Sequence, residues 1–224
     1  MKKLGTICSP PAETQTSLTD RAHEESIVFR LGRVTSNKPT PFPKPTREEL
    51  KDAFGRSIPD QIRPGLKVLF CGINPGLYSG ATGLHFARPG NRFWKALHAA
   101  GFSDRILAPW ESSELLDAGY GVTNLVMRTT ATAAELTDDE YRTGRRALTR
   151  KIRKYSPRWI AILGLGAYRA GFDKPDAQIG RQAEQIGSTG IWVLPNPSGL
   201  NANYQLPQLT EMFKELREAA GDSV

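Results

Sequence analysis

Cysteine and histidine are scarce in this 224-residue chain, with two of the former and three of the latter. Cys8 and Cys71 cannot build a disulfide framework, and neither sits in a C-x-x-C or other metal-ligand spacing. No metal is therefore expected. Long apolar runs are missing too: nothing approaches the ~18–20 residues that span a bilayer. The basic start Met1-Lys2-Lys3-Leu4 is followed by polar residues, not by a secretory apolar stretch. No G-x-G-x-x-G follows the first strand-like run and no Walker lysine pattern is present, which argues against a nucleotide-binding hydrolase. A cytoplasmic protein without a membrane partner is the expectation.

What is present suffices for a full-sized core: 39% hydrophobic residues, with apolar runs of strand length. Lys and Arg exceed Asp and Glu by 30 to 23, a net charge of +7 that is compatible with a polyanionic partner. The charge is concentrated. Between Tyr141 and Arg158 stand Arg142, Arg145, Arg146, Arg150, Lys151, Arg153, Lys154 and Arg158, with no acidic residue among them. A solvated helix face is the simpler explanation of that run; a non-catalytic DNA-binding module using the 141–158 helix is the alternative.

Proline divides the chain. Half of the 16 prolines fall in residues 1–65, and Lys38-Pro39-Thr40-Pro41-Phe42-Pro43-Lys44-Pro45 should be extended and polyproline-like. Residues 1–45 read as a flexible arm and 46–224 as a single domain. Thr46-Arg47-Glu48-Glu49 has capping-box spacing, so a short helix is predicted to about Phe54. Beyond it, strand signals (66–71, 120–126, 158–163, 190–194) alternate with helix signals (91–100, 111–117, 137–155, 166–172, 204–220). Strands separated by helices imply an α/β fold with a mostly parallel sheet covered on both faces.

Ligands collect beyond the carboxyl ends of such strands, and two ends here are built alike. One runs into Asn74-Pro75-Gly76, the other into Asn196-Pro197-Ser198-Gly199. Asn-Pro favours a turn and Gly permits close backbone approach, so the two loops are expected to share a pocket rim. Between them lie the 16 residues Leu77–Arg92, rich in Gly and polar side chains and expected to be irregular, a length that usually lines a site. Phe86 is placed there to lie flat on a planar ligand. His85 and His98 are set aside, having no partner spaced to make a base or a metal site.

Gly72-Ile73-Asn74-Pro75-Gly76, the Gly80–Trp94 loop, Gly121-Val122-Thr123-Asn124-Leu125-Val126 and Leu194-Pro195-Asn196-Pro197-Ser198-Gly199-Leu200 together resemble the mismatch-specific uracil/thymine DNA glycosylases, over about residues 62–220. The resemblance implies the uracil-DNA glycosylase fold, a three-layer α/β/α sandwich. It also implies excision of uracil, and of thymine or other damaged pyrimidines, from G:U and related mismatches in double-stranded DNA, by a monomer without a cofactor and at the nucleoid.

On that resemblance Asn74 positions the nucleophilic water. Ile73, Gly76, Ser79, Phe86 and Asn124 form the base pocket. Leu200 is the wedge, with Asn196, Ser198, Gly199 and Asn201 facing the opposite strand, and Arg88, Arg92 and Arg145 are candidates for phosphate contacts. An amide is not a general base at neutral pH, so turnover should be slow. Asn124 stands where some bacterial relatives carry Lys and the thymine-type members carry Asn, which implies a broader uracil range. Asn201-Ala202-Asn203 lacks the Arg that often follows the wedge, so discrimination against matched pairs should be weaker.

Overall fold

The computed structural model describes residues 44–221; Cys8 and nearly all of the arm expected over residues 1–45 lie outside them. Helix α1 (Arg47–Asp52) starts at Thr46, whose Oγ1 accepts from the Glu49 N–H while the Glu49 carboxylate accepts from the Thr46 N–H. The five strands of the sheet are β1 (Val68–Gly72), β2 (Tyr120–Asn124), β3 (Trp159–Leu163), β4 (Gly180–Ile186) and β5 (Thr189–Leu194). They pair in the order β2-β1-β3-β5-β4, all parallel except β4, which runs antiparallel to β5.

Side chains alternate across a strand, and here both faces are apolar because both are covered. Val68, Phe70, Ala161 and Leu194 pack with Phe93, Trp94 and Leu97 of α3 (Phe93–Ala99), Leu115 of α4 (Ser112–Asp117), and Phe213 and Leu216 of α7 (Leu206–Ala219). Leu69, Cys71, Ile160, Ile162 and Val193 face the other way. They meet Leu148 and Ile152 of α5 (Asp138–Tyr155), and Tyr168 and Phe172 of α6 (Leu165–Phe172). The result is a three-layer α/β/α sandwich, as the alternation of strand and helix signals implies.

Two segments differ from the sequence expectation. Leu77–Arg92 is not irregular throughout: its first six residues form α2 (Leu77–Thr82), between Gly76 and a left-handed Gly83. The Gly content masks this helix. Strand β4, at one edge of the sheet, has no counterpart among the expected elements. Its residues, Arg181, Gln182, Glu184 and Gln185 among them, are largely exposed, so no apolar run marks it. It joins β5 through the two-residue turn Gly187-Ser188.

The basic run lies mostly on α5, capped reciprocally by Thr137 and Glu140 and ended by Ser156 in the left-handed region. As the crossover from β2 to β3, α5 runs against the strands. Its last basic residues therefore lie at the amino end of the sheet, the helix being about 27 Å long at ~1.5 Å per residue. Several of the charges are engaged: Lys151 Nζ is 2.5 Å from Asp60 Oδ2, Arg142 pairs with Asp139, Arg145 lies over the Phe172 ring, and Arg158 donates to the Ala220 carbonyl. The run is not one open cationic face.

Candidate active site

The carboxyl ends of the parallel strands open into a cavity of about 380 Å³. Strand β1 delivers Ile73, Asn74 and Gly76 to it, and the neighbouring β2 delivers Asn124. The loop after β5 supplies Asn196, Ser198, Leu200 and Asn201, although β3 separates β5 from β1 in the sheet. Ser79, Phe86 and Arg88 complete the set from the segment after β1. The strand ladder continues past the strands themselves: Leu125 N–H donates to Gly72 O, Val126 N–H to Ile73 O and Thr130 N–H to Pro75 O. Those bonds fix the loop that carries Asn74.

The Asn74 amide has a defined orientation. Its Nδ2 donates to the Arg128 carbonyl at 2.9 Å and to Thr130 Oγ1 at 2.7 Å. A carbonyl only accepts, and the Thr130 hydroxyl spends its own proton on Thr132 O at 2.8 Å, so both partners require the nitrogen on their side. Among the described residues none donates to Asn74 Oδ1. The oxygen is therefore the half of the amide left for a donor in the cavity, such as a water molecule.

Asn124 is ordered in the same way. Gly72 and Asn124 are paired in register. A side chain at Gly72 would place its Cβ 2.6 Å from Asn124 Oδ1 and 3.3 Å from the Phe86 ring, so glycine is required by close approach. On the other side, Asn124 Nδ2 lies 3.4 Å from His85 Nδ1. His85 Nε2 is 3.0 Å from the Pro59 carbonyl, which again only accepts, so Nε2 carries the proton and Nδ1 offers its lone pair to Asn124. His85 is 3% exposed. Burial pulls its pKa below the usual histidine value, against the Pro59 bond and nearby Asp60, which favour the charged form. The imidazole is neutral, and the pair leaves Asn124 Oδ1 as an acceptor above Gly72.

Phe86 adopts a left-handed backbone (φ +52°), rare for a bulky residue, and its ring stacks on Phe93 with centroids 3.9 Å apart. Its neighbour Ala87 donates its N–H to Ser79 Oγ, so buried Ser79 fastens the segment that presents the ring. Leu200 is 69% exposed and does not anchor its loop to the core.

The three arginines fall apart. Arg88 is exposed at the rim. Arg92 turns its guanidinium onto the carbonyls of Ser198, Asn201 and Tyr204. Arg145 lies on α5 and lines neither the cavity nor its rim. Gly199 also stays out of the lining. Conversely, the cavity includes residues that the sequence pattern passes over: Ile58, His85, Asn91 and Thr130–Ala133. His85 stands next to Phe86 in a Gly-rich segment, which is a usable signal. Nothing local marks Ile58 or Thr130. Among the described residues no group of His, Cys, Asp and Glu could hold a metal ion.

The model of the uracil DNA glycosylase superfamily matches residues 59–220. Among solved structures, the NMR structure of a candidate uracil DNA glycosylase from Methanosarcina acetivorans is similar, with a TM-score of 0.50 and 19% identity. That match covers 73% of this chain and 99% of the other. At this identity the likeness is one of fold.

Proposed function

The chain belongs to the uracil DNA glycosylase superfamily, and on that premise we propose that it excises uracil extruded from mismatched duplex DNA, leaving an abasic site, with Asn74 holding the attacking water. The orientation of the Asn74 amide carries this reading. Cleaving the N-glycosidic bond builds positive charge on the deoxyribose and negative charge on the departing base. Asn74 Oδ1 can accept a hydrogen bond from one water and point its lone pair at C1′, a contribution of position and not of proton removal. With no general base at this point, the step forgoes the ~10²–10⁴-fold that proton abstraction usually supplies.

The remainder of the pocket suits an imide. Uracil and thymine present an N3–H donor, whereas cytosine presents a lone pair there. An acceptor fixed at Asn124 Oδ1 favours the former, with Phe86 available to stack on the ring. Extruding a base costs a few kcal/mol and costs least at a mismatch. An exposed Leu200 at the loop tip has the character of a side chain that fills the vacated space.

The test is incubation with duplexes carrying uracil opposite G or A, followed by alkali. Strand breaks at the uracil are expected, reduced at least ~100-fold in Asn74→Ala, with binding retained. A protein that shifts the duplex in a gel, with strong salt dependence, yet leaves every base attached would replace this reading with a binding module.

A further inference from the structure

Arg92, at the start of α3, hydrogen-bonds from outside to the loop of residues 196–205; among the described residues the one other side chain that does so is Gln208, whose Oε1 accepts from the Gln205 N–H at the end of the loop. Its Nη1 donates to Tyr204 O at 2.5 Å, and its Nη2 to Ser198 O at 2.5 Å and Asn201 O at 2.8 Å. Its backbone N–H adds a bond to Pro197 O at 2.9 Å. The carbonyls it gathers bracket Leu200 on both sides. Gly199 closes the contact from beneath: a Cβ there would come within 2.6 Å of the Gly90 carbonyl, so the loop rests directly on the backbone two residues before Arg92.

The tip of the loop, Ser198 to Asn203, has little else to hold it. Leu200 points outward, Ala202 and Asn203 are exposed, and no strand or helix forms between Asn196 and Gln205. Its internal bonds, Ser198 N–H to Asn196 Oδ1 and Asn201 Nδ2 to Asn196 O, shape the turn without attaching it to the core. Between buried Pro197 and core-packed Tyr204, attachment falls to Arg92 and to the close approach of Gly199 to Gly90. Among the described residues no carboxylate lies within ion-pair distance of the guanidinium, and its Nε is buried without a partner. A cation held by carbonyls alone keeps its charge beneath a surface facing a polyanion.

We propose that Arg92 is the positioning residue of the Leu200 wedge. Its planar fork holds the loop in the shape that enters the duplex, so extrusion does not begin by ordering a mobile loop. This assigns Arg92 a different role from a direct phosphate contact, since its Nη donors are committed to protein carbonyls. The proposal rests on the wedge reading of Leu200 given above. A lysine could keep the charge, but an ammonium cannot span three carbonyls in the plane of a guanidinium. Arg92→Lys therefore separates geometry from charge.

The experiment uses the full chain with 2-aminopurine beside the uracil, whose fluorescence rises as the pair opens. It is combined with single-turnover excision from a paired G·U duplex and from a duplex with the uracil already in a bulge. Arg92→Lys is expected to slow opening and excision from the paired duplex by ~10- to 100-fold, the size of one or two lost charge-assisted bonds at ~1.36 kcal/mol per tenfold. Its loss on the bulge should be smaller by at least about threefold. Combined with Leu200→Ala, it should add little to the loss from Leu200→Ala alone. Normal opening by Arg92→Lys while Leu200→Ala is impaired overturns the proposal alone, as does an equal loss on both substrates. Normal opening by Leu200→Ala overturns the wedge reading and this proposal with it. Thermal unfolding of Arg92→Lys confirms that the comparison is made on folded protein.

Discussion

Replacing His85 by glutamine separates its two bonds. The Gln amide nitrogen can reach the place of His85 Nε2 and keep the donor to Pro59 O, but it offers Asn124 Nδ2 no acceptor where Nδ1 stood. The neutral bond lost is long, at 3.4 Å, so about 0.5–1 kcal/mol is expected for the bond itself. Up to ~1–3 kcal/mol is added if the buried Asn124 N–H finds no other partner. For a domain of this size each kcal/mol lowers Tm by roughly 2–4 °C.

The pH dependence is the sharper observable. Because burial lowers the pKa of folded His85, the unfolded chain takes up the proton first as pH falls. The contribution is fully present above the unfolded value near 6.5 and is lost as pH falls toward the folded value. The slope cannot exceed ~1.36 kcal/mol per pH unit for one proton. Between pH 6.5 and 5.5 that is at most about 1.4 kcal/mol, or roughly 3–6 °C. Protonation would also place an Nδ1–H against the Asn124 amide donors and turn the base-reading oxygen. Thermal unfolding of parent and His85→Gln at pH 7.5, 6.5 and 5.5 isolates this term, since the other histidines are common to both proteins. Identical pH slopes in the two would show that His85 does not titrate between its folded and unfolded forms as the buried, Pro59-bonded imidazole requires. An unchanged preference for uracil over cytosine in His85→Gln would refute its role in orienting Asn124.

Thr130→Val replaces the hydroxyl that accepts from Asn74 Nδ2 with a methyl of similar size. Excision should slow by about 5- to 30-fold in single-turnover assays, for a loss of ~1–2 kcal/mol, with a much smaller change in DNA affinity. Gly72→Ala should cut excision of uracil by more than ~100-fold, because its Cβ would fall 2.6 Å from Asn124 Oδ1 and displace the base-reading amide. Circular dichroism should show the fold retained, and near-parent excision by that variant would mean the base does not sit over Gly72.

The layers were legible because burial by regular elements is a local, periodic property. Runs such as Leu69-Phe70-Cys71 and Trp159–Leu163 are apolar on both faces, and that alone requires helices above and below. The exceptions share a cause. Strand β4 is an edge strand left largely exposed, unlike the buried edge strand β2, so no apolar run marks it, and α2 is short and contains Gly80. The similar Asn-Pro turns after β1 and β5 pointed to a common rim, and the structure places both at one cavity even though β3 intervenes.

The sequence by itself determined the identity of the chemical groups: a carboxamide at the end of β1, a second at the end of β2, and an apolar side chain on a loop that ends in polar residues. Only the tertiary structure decided what each group presents. Asn74 shows its oxygen because Arg128 and Thr130, 54 and 56 residues later, hold its nitrogen. Asn124 is turned by a histidine 39 residues earlier, and an arginine 106 residues before Ser198 sets the loop that carries Leu200. A hydrogen bond depends on direction at a few ångströms, and direction between residues so far apart along the chain exists only once the sheet has brought them together.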